Sequence, residues 1–130
     1  MLLVVALGLS GCLGRSLPLP PPSVTAQAIE ACVPAECPNG GVIVTLEGTA
    51  VSGATVIVEN LNPASAGSGG ELLAVVTRAN EAGAWRAVLG PVRDSGGRVR
   101  VTQRGDTLSV WQIALGGDAS GPRYITLPRM

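Results

Sequence analysis

The chain has 130 residues, and its nine Arg are balanced by nine Asp and Glu, while His and Lys are absent. A neutral chain has no net field that would draw it to nucleic acid. Without His and Lys, the Ser-His-Asp, Cys-His and Ser-Lys catalytic pairs are excluded. The length after a short leader fits one ordinary domain.

The chain begins with an apolar run at residues 1–9, which is followed by Ser10, Gly11 and Cys12. Nine residues are far fewer than the roughly 20 apolar residues of a membrane-spanning helix, and they match the hydrophobic region of a secretory signal. Such signals normally start with basic residues, yet no Arg precedes Arg15. The alternative is a first core strand ending at Cys12, which the glycines at positions 8, 11 and 14 and the prolines from residue 18 disfavour.

The order Leu9-Ser10-Gly11-Cys12 resembles the lipobox of bacterial lipoproteins. The resemblance implies that residues 1–11 are a signal peptide and that Cys12 is lipidated after cleavage. The expected partner is then a membrane of the cell envelope, reached through the lipid anchor. Leu13 after the cysteine, rather than Asp, favours the outer membrane in a Gram-negative envelope.

Residues 12–23 contain a proline-rich stretch, Leu17-Pro18-Leu19-Pro20-Pro21-Pro22. Such a sequence favours polyproline II, which rises about 3.1 Å per residue. Ten extended residues would hold a domain roughly 30 Å from the lipid. We therefore expect a tether here and a folded domain over residues 24–130.

Short Val-rich runs separated by turn residues predict an all-β domain in that region. The predicted strands cover residues 24–31, 41–48, 54–60, 71–78, 83–89, 98–103, 106–115 and 123–127. Their number and spacing are typical of an immunoglobulin-like antiparallel β-sandwich of seven to eight strands.

Period-2 alternation indicates which side chains face the core. We expect Val56, Val58, Trp85, Ala87, Leu89, Leu108 and Val110 to face inward, with Val99 and Val101 on the face opposite Arg98, Arg100 and Thr102. Trp85 should fill much of the space between the sheets, because the chain has no Phe; an exposed aromatic for ligand binding is the alternative. Trp111 and Ile113 fall on the wrong face of their strand, which requires a bulge or burial on two sides.

Residues 47–58, 79–87, 99–103 and 105–108 resemble, in order, the opening, central hairpin and closing strands of bacterial Ig-like domains. The opening is Glu47-Gly48-Thr49-Ala50-Val51-Ser52-Gly53-Ala54-Thr55-Val56-Ile57-Val58, and the hairpin is Ala79-Asn80-Glu81-Ala82-Gly83-Ala84-Trp85-Arg86-Ala87. The resemblance implies a sandwich fold. The carboxypeptidase regulatory-like sandwich shares the opening and is the nearest alternative.

Cys32 and Cys37 form an even pair once Cys12 is assigned to lipid, which predicts a structural disulfide in an oxidising compartment. Closing this short loop stabilises a fold by about 2 kcal/mol in the chain-entropy model. Two thiolates without His supply only half of a zinc shell, and the spacing is not the C-x-x-C of redox enzymes. We expect no metal and no cofactor.

Other motifs have ordinary explanations. Arg104-Gly105-Asp106 is an integrin-binding tripeptide elsewhere, but here it has the composition of a turn. Asp94, Asp106 and Asp118 are too widely spaced for the clustered oxygen ligands of calcium. The glycines near residue 70 are not followed by the residues of a phosphate loop.

These observations favour a non-enzymatic lipoprotein whose Ig-like domain is a spacer, adhesion or assembly module, with envelope proteins or polysaccharide as partners. A carbohydrate-binding module that uses Trp111 or Tyr124 is the alternative, and a catalytic accessory protein that uses only carboxylates is a third. A carbohydrate binder should expose a Trp beside polar groups, whereas a spacer should bury both Trp residues.

Overall fold

The structure is a computed structural model that describes residues 18–67, 69–94 and 96–129. The predicted signal peptide and Cys12 lie outside these residues. The described residues form one short 3₁₀ helix, Pro63–Ser65, and the strands β1 (Ser23–Ala31), β2 (Val42–Thr49), β3 (Thr55–Asn60), β4 (Leu73–Arg78), β5 (Ala84–Leu89), β6 (Val92–Arg93), β7 (Val99–Arg100), β8 (Thr107–Ile113) and β9 (Arg123–Thr126). No helix in this part of the chain is long and apolar enough to cross a membrane.

The strands form two antiparallel sheets that pack face to face. One sheet has the order β1-β2-β5, the other has the order β4-β3-β8-β9, and β6 and β7 form a separate small hairpin. This connectivity is that of an immunoglobulin-like sandwich in which β4 has joined the sheet of β3, β8 and β9. The predicted all-β sandwich is confirmed.

The core lies between the two sheets and follows the predicted alternation. Its buried members are Val42, Val44, Leu46, Val56, Val58, Leu73, Ala79, Trp85, Ala87, Leu89, Leu108, Val110 and Leu127. Gly53 has a φ of +74°, as expected for the turn that carries the chain from β2 to β3.

The segment 98–103 differs from its prediction as one regular strand with Val99 and Val101 on the face opposite Arg98, Arg100 and Thr102. Only β7 forms there, followed by an isolated bridge between Thr102 and Val42. Arg100 is 9% exposed and Thr102 is fully buried. The reason is hydrogen bonding: Arg100 donates to the carbonyls of Ser65 and Glu71 at 3.0 and 2.9 Å, so its alternation with Val99 does not place it in solvent.

The described part of the proline-rich segment lies against the sandwich. Leu19 bridges to Ser120 in parallel, and Pro22 is buried. Gln112, which is 2% exposed, donates from Nε2 to the carbonyl of Pro20 at 2.8 Å. Because Ser23 already belongs to β1, residues 18–23 are docked on the domain.

The sandwich has two distinct ends. The N-terminal end carries the turns 50–54 and 79–83, the loop 114–122 and the docked segment 18–22. The opposite end, here called the disulfide end, carries the loop 32–41, the connections that follow β3 and β5, and the turn 103–106.

Candidate functional site

The outer face of the four-stranded sheet carries a group of apolar and aromatic side chains. In β8, Leu108 and Val110 are fully buried, so Trp111 and Ile113 point away from the core. Ile57 in β3 lies opposite both Val76 of β4 and Trp111 of β8. Trp111 therefore belongs to a cross-strand row with Ile57 and Val76, and Ile113, opposite Thr55, lies on the same face without a bulge.

A second row runs beside the first. It contains Ala74, Glu59, Ser109 and Tyr124, which lie opposite one another in β4, β3, β8 and β9. Trp111 and Tyr124 are diagonal neighbours on adjacent strands, a relation that places the Cα atoms of two residues roughly 7–8 Å apart. We call Ile57, Glu59, Val76, Trp111, Ile113 and Tyr124 the outer-face patch.

The patch holds its tryptophan in one orientation. Trp111 Nε1 donates a hydrogen bond to Glu59 Oε1 at 2.9 Å, and the indole is half-buried. Tyr124 and Val76 are each 63% exposed. The arrangement thus combines a fixed aromatic ring, a carboxylate on the same face and a solvent-exposed phenol.

The other tryptophan has the predicted structural role. Trp85 is 3% exposed and packs in the core. Trp85 is therefore buried, as expected of a spacer. Trp111 lies on an outer face beside a carboxylate, as expected of a carbohydrate binder.

Cys32 and Cys37 are joined in a disulfide, as predicted, with Cα atoms 5.9 Å apart. Both cysteines are buried and pack with Val101, half-buried Ile43 and Val99. The disulfide forms a small second cluster at its end of the sandwich, away from the outer-face patch.

Asp106 of the Arg104-Gly105-Asp106 tripeptide is 5% exposed and belongs to a polar network. Its carboxylate accepts hydrogen bonds from Asn60 Nδ2, Asn62 Nδ2 and the Gln103 N–H at 2.9, 2.6 and 2.9 Å. The carboxylate is thus committed to the fold rather than presented to a receptor. The turn interpretation accounts for this residue.

Asp94 and Asp118 lie in turns at opposite ends of the domain, and Asp94 accepts from the N–H groups of Gly96 and Arg98. Among the residues that the structure describes, no three His, Cys, Asp or Glu side chains are grouped to hold a metal ion.

Compared with protein-family models, with curated proteins and with solved structures, the chain gives no match. The functional argument therefore depends on the chain's own residues.

Trp111 and Tyr124 could be predicted from the sequence as candidate binding residues, whereas Glu59 could not. The sequence indicates the position of Trp111 through the alternation in β8. Leu108 and Val110 face the core, so apolar residues at the odd positions 111 and 113 must cover the outer face of the sheet. Finding Glu59 required the register between β3 and β8, which aligns Glu59 with Ser109, two residues from Trp111.

Proposed function

We propose that this protein is a non-catalytic lipoprotein of the cell envelope, anchored through Cys12, whose sandwich serves as a spacer, adhesion or assembly module. The supporting observation is the path of the docked segment. Residues 18–22 lie at the N-terminal end of the sandwich, beside Ser120. A lipid at Cys12 would accordingly place that end toward the membrane and the disulfide end away from it.

The docking also revises the reach of the tether. Five residues, 13–17, separate the lipid site at Cys12 from Pro18. Even fully extended, the stretch from Cys12 to Pro18 spans about 20 Å, which is less than the roughly 30 Å expected for ten free residues. The domain of the proposed lipoprotein is therefore held near the membrane surface. Because one end of the strands faces the membrane, the outer-face patch faces parallel to the membrane plane.

Replacing Cys12 by Ala tests the anchor. We expect Cys12→Ala to abolish labelling by a radioactive or clickable fatty acid and to release the protein from washed membranes, because the lipid has no other attachment site in this proposal. The matched control is the double variant Cys32→Ala/Cys37→Ala, which should label like the parent. Acyl labelling that persists in Cys12→Ala would contradict the lipoprotein assignment.

The outer-face patch favours a second candidate function, which is binding of envelope polysaccharide. Sugar rings present C–H faces that pack on the negative face of an aromatic ring, while their hydroxyl groups seek acceptors. Trp111 and Tyr124 supply two aromatic side chains on adjacent strands, and Glu59 supplies carboxylate oxygens on the same face.

Trp111→Ala and Tyr124→Ala test this candidate. Each variant should weaken retention in native gels that contain cell-wall polysaccharide by at least about tenfold in apparent Kd, which corresponds to about 1.4 kcal/mol. Val88→Ala, on the outer face of β5 and 40% exposed, is the matched control and should migrate like the parent. If neither aromatic substitution changes migration in any retarding gel, the patch is not a carbohydrate site.

A further inference from the structure

The disulfide end contains a cavity of about 190 Å³ that the proposed function does not use. Cys37 and Pro38 of the disulfide loop form one wall, and the β6–β7 hairpin forms the other. The hairpin contributes Arg93 and Arg98, while Val99 and Val101 supply apolar surface. A space of this volume holds several water molecules and is large enough for a small organic acid.

The two arginines are positioned but not neutralised. Arg93 Nη1 donates to the carbonyl of Gly97 at 2.9 Å, and Arg98 Nη2 donates to the carbonyl of Ala64 at 3.2 Å. Each guanidinium has five N–H donors, so most of them are left for a ligand. Within the described residues, the ion pair that forms is Arg86 with Glu47, on another face.

The nearby carboxylates do not occupy the cavity. Asp94 Oδ1 accepts from the backbone N–H groups of Gly96 and Arg98, which turns it toward its own hairpin. Glu36 lines a neighbouring groove with Arg93 without approaching it to within ion-pair distance. Among the described residues, neither Arg93 nor Arg98 therefore forms an ion pair with a carboxylate.

Arg98 also lies between two cavities. A second space of about 200 Å³ shares Asn39, Arg98, Val99 and Val101 with the first and continues toward the Asn62–Asp106 network. A ligand that reaches Arg98 from the first cavity can thus extend along its other side. This favours a ligand whose anionic group is attached to a larger body.

We propose that this cavity binds a carboxylate-bearing ligand of the uronic acid type. The planar fork of an arginine matches a carboxylate in a bidentate manner, and two arginines line the space. The apolar wall of Cys37, Val99 and Val101 packs against the body of the ligand. The site is independent of both the lipid anchor and the outer-face patch.

The test is an NMR titration of the ¹⁵N-labelled full chain in detergent micelles, with sodium glucuronate as the probe at constant ionic strength. We expect saturable shifts of the Asn39, Gly40 and Gly97 amides and of the Arg93 and Arg98 Nε–H signals. Neutral glucose is the matched probe without a carboxylate and should cause no such shifts. Inorganic phosphate also matches an arginine fork but has no body to pack on Val99 and Val101, so it should bind more weakly; equal or tighter binding of phosphate would overturn the uronic acid assignment.

Two substitutions make the test specific. Arg98→Gln should weaken glucuronate binding at least tenfold, and Arg86→Gln, which removes an exposed arginine on another face, should change it less than twofold. Arg93→Gln provides a second arm if Arg98→Gln alters the amide spectrum of the core strands. Absence of saturable shifts in the parent, or parent-like binding by a folded Arg98→Gln or Arg93→Gln, would refute the proposal.

Discussion

Trp85→Ala is expected to destabilise the protein by about 3–5 kcal/mol, the range for large-to-small substitutions in a packed core. Trp85 is 3% exposed and lies between the sheets with Leu46, Val56 and Leu108 in the same buried cluster. Natural domains are stable by only about 5–15 kcal/mol, so this single change should remove a large share of the total. Urea denaturation followed by far-ultraviolet circular dichroism measures the loss.

Trp85→Phe separates the contribution of volume from that of the indole N–H. Trp85 Nε1 is buried and has no hydrogen-bond partner among the described residues. Leaving such a donor unsatisfied costs about 1–3 kcal/mol, and Phe removes the donor while keeping one aromatic ring. We therefore expect Trp85→Phe to cost clearly less than Trp85→Ala.

Trp111→Ala is the control on the outer face, where the indole is half-buried, and it should cost less than Trp85→Ala. Fluorescence quenching by acrylamide adds a direct test of exposure, because the tryptophan left in each single variant reports on its own surroundings. A loss below about 1 kcal/mol for Trp85→Ala, smaller than typical core truncations, would contradict the packing of this residue.

The central strands could be predicted from the sequence because local alternation and tertiary burial agree in them. In β3 and β5, every second residue is buried, and all of these buried residues except Asn60 are apolar. The turns agree as well, since Gly53, Gly83 and Gly105 all have positive φ. The hydrophobic pattern alone determines which face of such a strand is buried.

The segment 98–103 could not be predicted in this way, because two of its three buried residues, Arg100 and Thr102, are polar. Arg100 and Thr102 are buried through partners that are distant in sequence: the carbonyls of Ser65 and Glu71, and the side chain of Asn60. Hydrogen bonds that span 29 to 42 residues leave no local periodic signal. The pattern of alternation places Arg100 and Thr102 on the face opposite Val99 and Val101, but it does not indicate that their face is buried.

The docked proline segment was missed for a related reason. A proline-rich sequence indicates an extended chain without internal hydrogen bonds, but it does not indicate which groups donate hydrogen bonds to its carbonyl oxygens. Here Pro20 and Pro22 accept hydrogen bonds from Gln112 and Arg123, which lie about 90 to 100 residues later. The sequence of the segment therefore does not indicate these partners, which depend on the completed sandwich.

Asp106→Ala is expected to destabilise the protein by about 3 kcal/mol, because one carboxylate holds three donors at the disulfide end. Asn60, which is fully buried, donates from Nδ2 to Asp106 Oδ2 and also to Thr102 Oγ1. Asn62 donates to the other carboxylate oxygen. Each buried donor left without a partner costs about 1–3 kcal/mol, and water can compensate for those nearest the surface.

Asp106→Asn keeps the size of the side chain and one carbonyl oxygen. It replaces the second oxygen by an NH2 group, which is itself a donor and faces the donors that the carboxylate had accepted from. It should therefore fall between the parent and Asp106→Ala in its free energy of unfolding. Asp118→Ala is the matched control, since Asp118 is exposed in the loop at the N-terminal end; surface changes of this kind stay within about 0.5 kcal/mol. Urea denaturation gives all three values, and amide exchange of Asn62 and Gln103 reports local loosening of the loops. If Asp106→Ala unfolds at the same urea concentration as Asp118→Ala, the network does not stabilise this end of the sandwich, and the burial of Asp106 needs another explanation.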